Sequence, residues 1–247
     1  MTSPFDRLRG LTRARIALGR AGDGLPTRAL LDFTMAHALA RDAVHGVVAW
    51  PSLVAALQPL ATVSVTSAAG SKINYLRRPD LGRVLAPGES SRLPHGPFDI
   101  VFVIGDGLSA DACMGYAAET VQATLPLLNG FSVGPIVLAQ GARVALSDPI
   151  GAAMQAQLVI MLIGERPGLT SADSLGAYLT FAPQIGRRDS ERNCISNIHA
   201  HGLPPHMVAG KLAWLAREAL RLQLTGVDLK EAAPDILPPS AVMKRLD

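Results

Sequence analysis

Two polar pairs follow apolar segments of this chain, and their residue types are suited to binding a ligand. Glu165 and Arg166 come after the uncharged run 158–163, and Asp106–Gly107 comes after the run FDIVFVIG at 98–105. In open parallel sheets, ligands bind just beyond the carboxyl ends of the strands. We therefore predict a ligand site at this edge. The alternative is a surface ion pair between adjacent residues, which contributes only about 0–1 kcal/mol.

The segment 105–110 (GDGLSA) matches the GxGxxA pattern of dinucleotide-binding turns. Two features count against NAD. Asp106 places a negative charge in the turn that would receive a pyrophosphate, and no acidic residue lies between Glu119 and Asp148 to hold the ribose. An NAD-dependent oxidoreductase is therefore the weakest of the functions considered for this chain.

The histidines and cysteines do not have the spacing of a catalytic or metal site. Asn197–Gly202 (NIHAHG) resembles the DxHxxG motif, through which some cobalamin proteins offer a histidine to cobalt. Asn197 replaces the aspartate that would orient this histidine, so His199 is not assigned as a ligand. Cys194 has no identifiable base and orienting group, and a partly buried, unreactive thiol is expected. No catalytic residue and no metal ligand is predicted.

Three apolar segments predict the buried strands that position the polar pairs. They are FDIVFVIGDG (98–107), GPIVLAQ (134–140) and QLVIMLI (157–163), and 143–146 is predicted as a short continuation of the second. Because helical patterns alternate with these strands, we predict an α/β protein with a parallel sheet covered on both faces.

Helices are predicted before, between and after the strands. Thr27 is expected to cap a helix that ends at His45, and Ser109 to cap the helix after the first strand. A last helix is predicted to open at Pro204–Pro205 and to stop at Gly226. The apolar stripe of the first helix is expected to lie in the core; it consists of Leu31, Met35, Ala38 and Leu39. A segment rich in proline, glycine and serine at 86–97 predicts a domain boundary, which we place between residues 92 and 93.

Composition excludes several classes of protein. With 49% apolar and 17% charged residues, the 247-residue chain is expected to fold. Its net charge of +3 and its aromatic content of 4% argue against nucleic-acid binding. The chain has only two cysteines, and neither is in a CxxC pair, which is typical of a protein in a reducing compartment. It has no apolar run near the length of a membrane helix, and its first residues, MTSPFDRLRG, contain no apolar signal segment. We therefore predict a cytoplasmic protein without a membrane partner. The proline-rich tail from Ala232 is expected to lack regular structure.

Several stretches together resemble one family, the small (light) subunit of ethanolamine ammonia-lyase. The resemblance covers about residues 10 to 225, and GERPG followed by CISNI at this separation is its most specific feature. The stretches are GRAGDGLPTRALLDF (19–33), NYLRRPDLGR (74–83), DGLSADA (106–112), IGERPGLTSADSLGAYLTFAP (163–183) and ERNCISNIHAHG (191–202).

The resemblance implies an enzyme subunit that uses adenosylcobalamin to convert ethanolamine to acetaldehyde and ammonia. It implies a helical N-terminal domain (1–92) that contacts a catalytic large subunit with a (β/α)₈ barrel, and a Rossmann-like domain (93–247) against the cofactor. The family's cobalamin contacts fall on Val144, Glu165 and Cys194. The family keeps the cofactor's own base on cobalt, which agrees with leaving His199 unassigned. Arg166, Asp106 and Ser196 are neighbours that we leave outside the site.

Two alternatives remain open at the level of sequence. A stand-alone cobalamin-binding or carrier protein would share the cofactor site but would need no partner. Some relatives carry a long N-terminal extension associated with encapsulation in a bacterial microcompartment, and the short start of this chain counts against encapsulation. The resemblance also implies a higher-order assembly of large and small subunits, whose stoichiometry the sequence does not give.

Overall fold

Seven helices and one six-stranded sheet are formed by the described part of the chain, which in this computed structural model comprises residues 4–12 and 14–230. The predicted irregular tail from Ala232 lies outside the described residues. The helices are α1 Pro4–Leu11, α2 Thr27–His45, α3 Trp50–Ala56, α4 Lys72–Arg77, α5 Ala110–Thr124, α6 Ser147–Ala153 and α7 Pro205–Leu222. The strands are β1 Thr62–Thr66, β2 Phe98–Gly105, β3 Ile136–Gln140, β4 Ala156–Gly164, β5 Leu175–Phe181 and β6 Asn193–Ile198.

Strands β2 and β4 form the centre of the sheet and are buried on both faces. Ile100, Phe102 and Ile104 pack on the face that α5 and α7 cover. Val101 and Val103 alternate with them and pack on the opposite face, with residues of α6. Since a strand places successive side chains on opposite faces, a strand covered on both sides needs an unbroken apolar run. The three strands predicted from such runs are confirmed as β2, β3 and β4.

The sheet is mixed, so the prediction of a parallel sheet is right for only part of it. The strand order is β1-β3-β2-β4-β5-β6; the first four strands are parallel, whereas β5 is antiparallel to both β4 and β6. The chain returns from β4 to β5 through residues 165–174, which contain no helix. A parallel neighbour requires a crossover of a dozen or more residues, so this short connection produces an antiparallel pair. The Rossmann-like description stays a prediction.

Strand β1 lies before the predicted boundary at residue 92 and joins the same sheet as the strands after it. It pairs with β3 from Thr62↔Ile136 to Thr66↔Gln140. The N-terminal part is therefore not purely helical, and the division into two domains stays a prediction. No helix among the described residues is long and apolar enough to span a membrane.

The predicted helices are present, but their ends differ in detail. Ser109 caps α5, since its hydroxyl accepts a hydrogen bond from the Ala112 N–H at 3.2 Å. Thr27 is the first residue of α2 and makes no capping hydrogen bond, so its predicted role is wrong. Helix α7 ends at Leu222, because Gln223 adopts the left-handed conformation before Gly226 is reached.

Helix α2 corrects the expectation that its apolar stripe lies in the core. Of the residues in this fully described helix, only Ala43 is buried. Leu31, Met35 and Leu39 are 62%, 63% and 53% exposed. The stripe faces solvent, and the one buried residue, Ala43, lies near the C-terminal end of the helix, where Gly46 approaches Ala110 of α5.

Candidate functional site

The carboxyl ends of β2, β3 and β4 meet at one edge of the sheet, and a buried carboxylate holds two of them together. Asp106, at the end of β2, accepts hydrogen bonds from the backbone N–H groups of Gly107, Gly141 and Ala142 at 2.9–3.0 Å. Burial raises the pKa of Asp106, while these hydrogen bonds and nearby Lys72 act in the opposite direction. This carboxylate therefore has a structural role, since it holds the turns after β2 and β3 together.

The geometry at Asp106 also explains why 143–146 is not a strand. The two N–H groups that follow β3 donate to Asp106, so the chain turns away from the sheet. It forms a 3₁₀ turn at Val144–Leu146, which corrects the predicted strand continuation. The turn places Val144, a predicted cofactor contact, at the edge of the sheet.

A cleft with a volume of about 420 Å³ lies at this edge and contains two of the three predicted positions, Val144 and Glu165. Arg166 lies in the same cleft, as does Tyr178 from β5. The remaining lining residues are Tyr75, Leu108, Arg143, Ile163 and Gly164. The cleft thus combines apolar surface with a carboxylate and two guanidinium groups.

A second cleft, of about 300 Å³, contains the third predicted position, Cys194, together with Val144. Arg143, Val144 and Tyr178 line both clefts, so the two clefts are adjacent at these residues. The other lining residues of the second cleft are Arg83, Ala145, Asp189 and Arg192. The structure therefore brings Val144, Glu165 and Cys194 to one face of one sheet edge.

Glu165 is held in a fixed orientation. Its Oε2 accepts hydrogen bonds from the Ser174 hydroxyl at 2.6 Å and from the Asn197 N–H at 3.3 Å. Gly176 makes room for it, because a Cβ added to Gly176 would lie only 2.9 Å from Glu165 Oε1. Among the described residues Oε1 has no hydrogen-bond donor, so it is available to a ligand.

Tyr178 and Cys194 are opposite each other in the register of β5 and β6. Cys194 is exposed as a residue, but its thiol is partly desolvated by its surroundings, as expected for a partly buried thiol. Desolvation by its surroundings raises the pKa of the Cys194 thiol, the Tyr178 hydroxyl acts in the opposite direction, and the Glu165 charge raises it further. Burial likewise raises the pKa of Tyr178. The raised pKa of Cys194 favours the thiol form over the thiolate, which is the nucleophilic form.

The other residues considered from sequence lie outside the two clefts. His199 is buried, and its Nδ1 accepts a hydrogen bond from the His201 N–H at 3.2 Å. Ser196 lines neither cleft, and its hydroxyl accepts a hydrogen bond from Asn197 Nδ2. A third cleft of about 230 Å³ contains Lys72 and Asp106 but none of the three predicted positions. No group of three or more potential metal ligands is found among the described residues.

Sequence reasoning missed Tyr178, Arg83 and Arg192 as lining residues, and did not recognise Arg143 as one. Tyr178 has only a weak signal in the sequence, because Phe181 is a second aromatic residue in the segment that follows GERPG. The arginines carry no such signal, because their common location depends on contacts between distant segments.

Comparison with known proteins gives one consistent family. The family model described as ethanolamine ammonia-lyase light chain (EutC) matches residues 2–230. The chain is 53% identical over 239 residues to the ethanolamine ammonia-lyase small subunit of Bradyrhizobium diazoefficiens, covering 94% of this chain and 92% of that one. It is 52% identical to the small subunit of Rhodopseudomonas palustris, with coverages of 91% and 88%, and 48% identical to that of Azotobacter vinelandii, with coverages of 94% and 89%. The chain therefore belongs to the ethanolamine ammonia-lyase light chain family.

Proposed function

We propose that this chain is the small subunit of an adenosylcobalamin-dependent ethanolamine ammonia-lyase, which converts ethanolamine to acetaldehyde and ammonia. In this proposal the chain forms one wall of the cobalamin site and a large subunit provides the other. The observation that carries it is the pair of adjacent clefts that share Tyr178 and contain Val144, Glu165 and Cys194. Family membership supports the reaction and the partner.

The lining of the clefts fits the surface of a corrinoid. A corrin ring has a broad apolar face and a periphery of neutral amide side chains. Val144, Ile163 and Tyr178 offer apolar contact, and Glu165 offers a hydrogen-bond acceptor with one oxygen that no described donor occupies. Pockets for cofactors commonly combine apolar walls with a few placed polar groups.

Each predicted contact has a distinct role in this proposal. Glu165 accepts hydrogen bonds from amide N–H groups or nucleotide hydroxyls, Val144 packs against the macrocycle, and Cys194 offers a small surface beside it. Ser174 fixes the Glu165 carboxylate before the cofactor arrives. Adenosylcobalamin supplies the radical chemistry when it is bound. The residues of this chain orient it and exclude water from one side.

The exposed stripe of α2 favours a subunit that binds a partner protein, and it counts against a stand-alone carrier. Its three long apolar side chains are each more than half exposed. Contiguous apolar surface of this kind marks sites of protein association. The large subunit, which holds the substrate in this proposal, covers the stripe.

The proposal is tested by expressing the chain with its large subunit, and each subunit separately, and by measuring acetaldehyde in a coupled assay. Acetaldehyde formation is expected only when both subunits and adenosylcobalamin are present. Acetaldehyde produced by the small chain alone would contradict the proposal that the reaction requires the large subunit. A stable monomer that binds cobalamin without a partner, seen by gel filtration and visible-spectrum titration, would instead support the carrier.

A further inference from the structure

Arg143 lies where the two clefts meet, and its charge is not neutralised by the residues around it. Its side chain lines both clefts. Within the described residues, no carboxylate lies within 4 Å of its guanidinium, and its buried Nε has no hydrogen-bond acceptor. A guanidinium with an unpartnered buried N–H in a cleft indicates a site for an acceptor that the chain itself does not provide.

The position of Arg143 is fixed by contacts on several sides. Its backbone N–H donates to Gly82 O at 2.8 Å. Its guanidinium carbon lies 4.6 Å from the centre of the Tyr75 ring, and the Tyr75 hydroxyl donates to Ala142 O at 3.0 Å. A cation this close to a ring centre makes a cation–π contact that restricts its position. These contacts hold Arg143 at the lining of both clefts before any ligand binds.

The neighbouring charges make the second cleft positive. Arg192 lies in it, but its charge is matched by Asp148 in a buried ion pair. Asp189 is the one carboxylate among the lining residues, and its side chain is 83% exposed. Its Oδ1 lies 3.8 Å from Arg192 Nε. Arg83, Arg143 and Arg192 set against Asp148 and Asp189 leave an excess of one positive charge, which favours an anionic group.

We propose that Arg143, with Arg83 beside it, binds the phosphodiester of the cobalamin nucleotide loop. This inference rests on the proposed function. The amide side chains of cobalamin are neutral, whereas the phosphodiester that links its nucleotide to the corrin ring is negatively charged. Guanidinium groups bind phosphate oxygens through pairs of parallel, charge-assisted hydrogen bonds. Val144, next to Arg143 in the chain, then contacts the macrocycle while Arg143 holds the loop.

The experiment compares two ligands that differ in the nucleotide loop. Adenosylcobinamide has the corrin ring and its amides but lacks the nucleotide and the phosphodiester. The Kd of each corrinoid is measured by visible-spectrum titration of the assembled pair of subunits. We expect Arg143→Gln to raise the Kd of adenosylcobalamin about 10-fold and to leave that of adenosylcobinamide unchanged.

A second variant and a matched control make the result specific. Arg143→Lys keeps the charge but not the planar donor pair, so it is expected to raise the adenosylcobalamin Kd less than Arg143→Gln does. Arg221→Gln removes an arginine of α7 that is paired with Glu218, and neither Kd is expected to change. Added salt screens the ionic contact. It should therefore reduce the ratio of the adenosylcobinamide Kd to the adenosylcobalamin Kd in the unmodified protein.

The two proposals fail in different ways. If Arg143→Gln raises the Kd of both corrinoids equally, or raises neither Kd, the assignment of Arg143 to the phosphodiester is wrong, but the proposed cobalamin site is not contradicted. If the unmodified assembled pair binds neither corrinoid, the proposed function itself is wrong. Gel filtration of each variant pair shows that the assembly is intact before the titrations are compared.

Discussion

Asp148 and Arg192 form a bidentate ion pair in the interior, with Nη1–Oδ1 and Nη2–Oδ2 distances of 2.7 Å each. Their side chains are only 2% and 1% exposed. Arg192 Nη1 also donates to the Thr180 hydroxyl at 2.7 Å. The pair joins α6 to the residue just before β6, and it thereby fixes the strand that carries Cys194.

Removing one member of this pair should destabilise the fold strongly. Arg192→Met leaves the Asp148 carboxylate buried without its partner, which is expected to lower the free energy of unfolding by about 3–5 kcal/mol. The double variant Asp148→Leu, Arg192→Met should recover most of this loss, because no unpaired charge remains. Urea unfolding monitored by circular dichroism measures both. A loss below about 1 kcal/mol for Arg192→Met would contradict the prediction.

Glu165 should contribute directly to cofactor affinity. In the assembled pair of subunits, Glu165→Ala is expected to raise the Kd of cobalamin by an amount equivalent to about 1–3 kcal/mol, because a charged, partly desolvated acceptor is lost. Ser174→Ala removes only the hydrogen bond that orients the carboxylate and should weaken cobalamin binding by about 1 kcal/mol. Glu218→Ala, on α7, is the control. An unchanged Kd for Glu165→Ala would remove this residue from the site.

The Cys194 thiol should react slowly with iodoacetamide at neutral pH, although it is exposed. Its raised pKa reduces the fraction of thiolate, which is the reacting form, so the midpoint of the rate–pH profile should lie above that of a free cysteine. Glu165→Gln removes a negative charge that raises this pKa and should shift the midpoint down. Peptide mass spectrometry separates Cys194 from Cys113, whose pKa burial raises to about 12. A profile that does not respond to Glu165→Gln would contradict the electrostatic coupling.

The exposed stripe of α2 should matter for association and not for the stability of the free chain. Leu31→Ser combined with Met35→Ser is expected to change the free energy of unfolding by less than about 0.5 kcal/mol, since both side chains are exposed. The same variant should weaken binding to the large subunit about tenfold or more. Val227→Ser, at a site 70% exposed outside α2, is the matched control. Equal affinities for the two variants would place the interface elsewhere.

The sequence predicted the central elements because their signals are local. An apolar run without charges is what a strand buried on both faces requires, and β2, β3 and β4 all have one. Ser109 caps α5 through a contact three residues away. Strands β1, β5 and β6 were not predicted. Strands β1 and β6 are short, lie at the edges of the sheet and carry polar residues, whereas β5 lies inside the sheet but contains Gly176, Tyr178 and Thr180 in place of an unbroken aliphatic run.

The candidate site was only partly predictable because its geometry depends on distant contacts. Asp106 redirects the chain after β3 from 35 residues away, which turns the expected strand at 143–146 into a 3₁₀ turn. Asp148 and Arg192 are 44 residues apart, so the sequence around either one does not predict their ion pair. The three cofactor positions came from family resemblance, and Tyr178 emerged only once the register of β5 and β6 was known.

The shallow attachment of α2 affects the free chain. A helix that buries a single residue opens at little cost in free energy, and an opened segment is the first target of a protease. We therefore expect limited proteolysis of the free chain to cut first between Thr27 and His45, while the sheet survives.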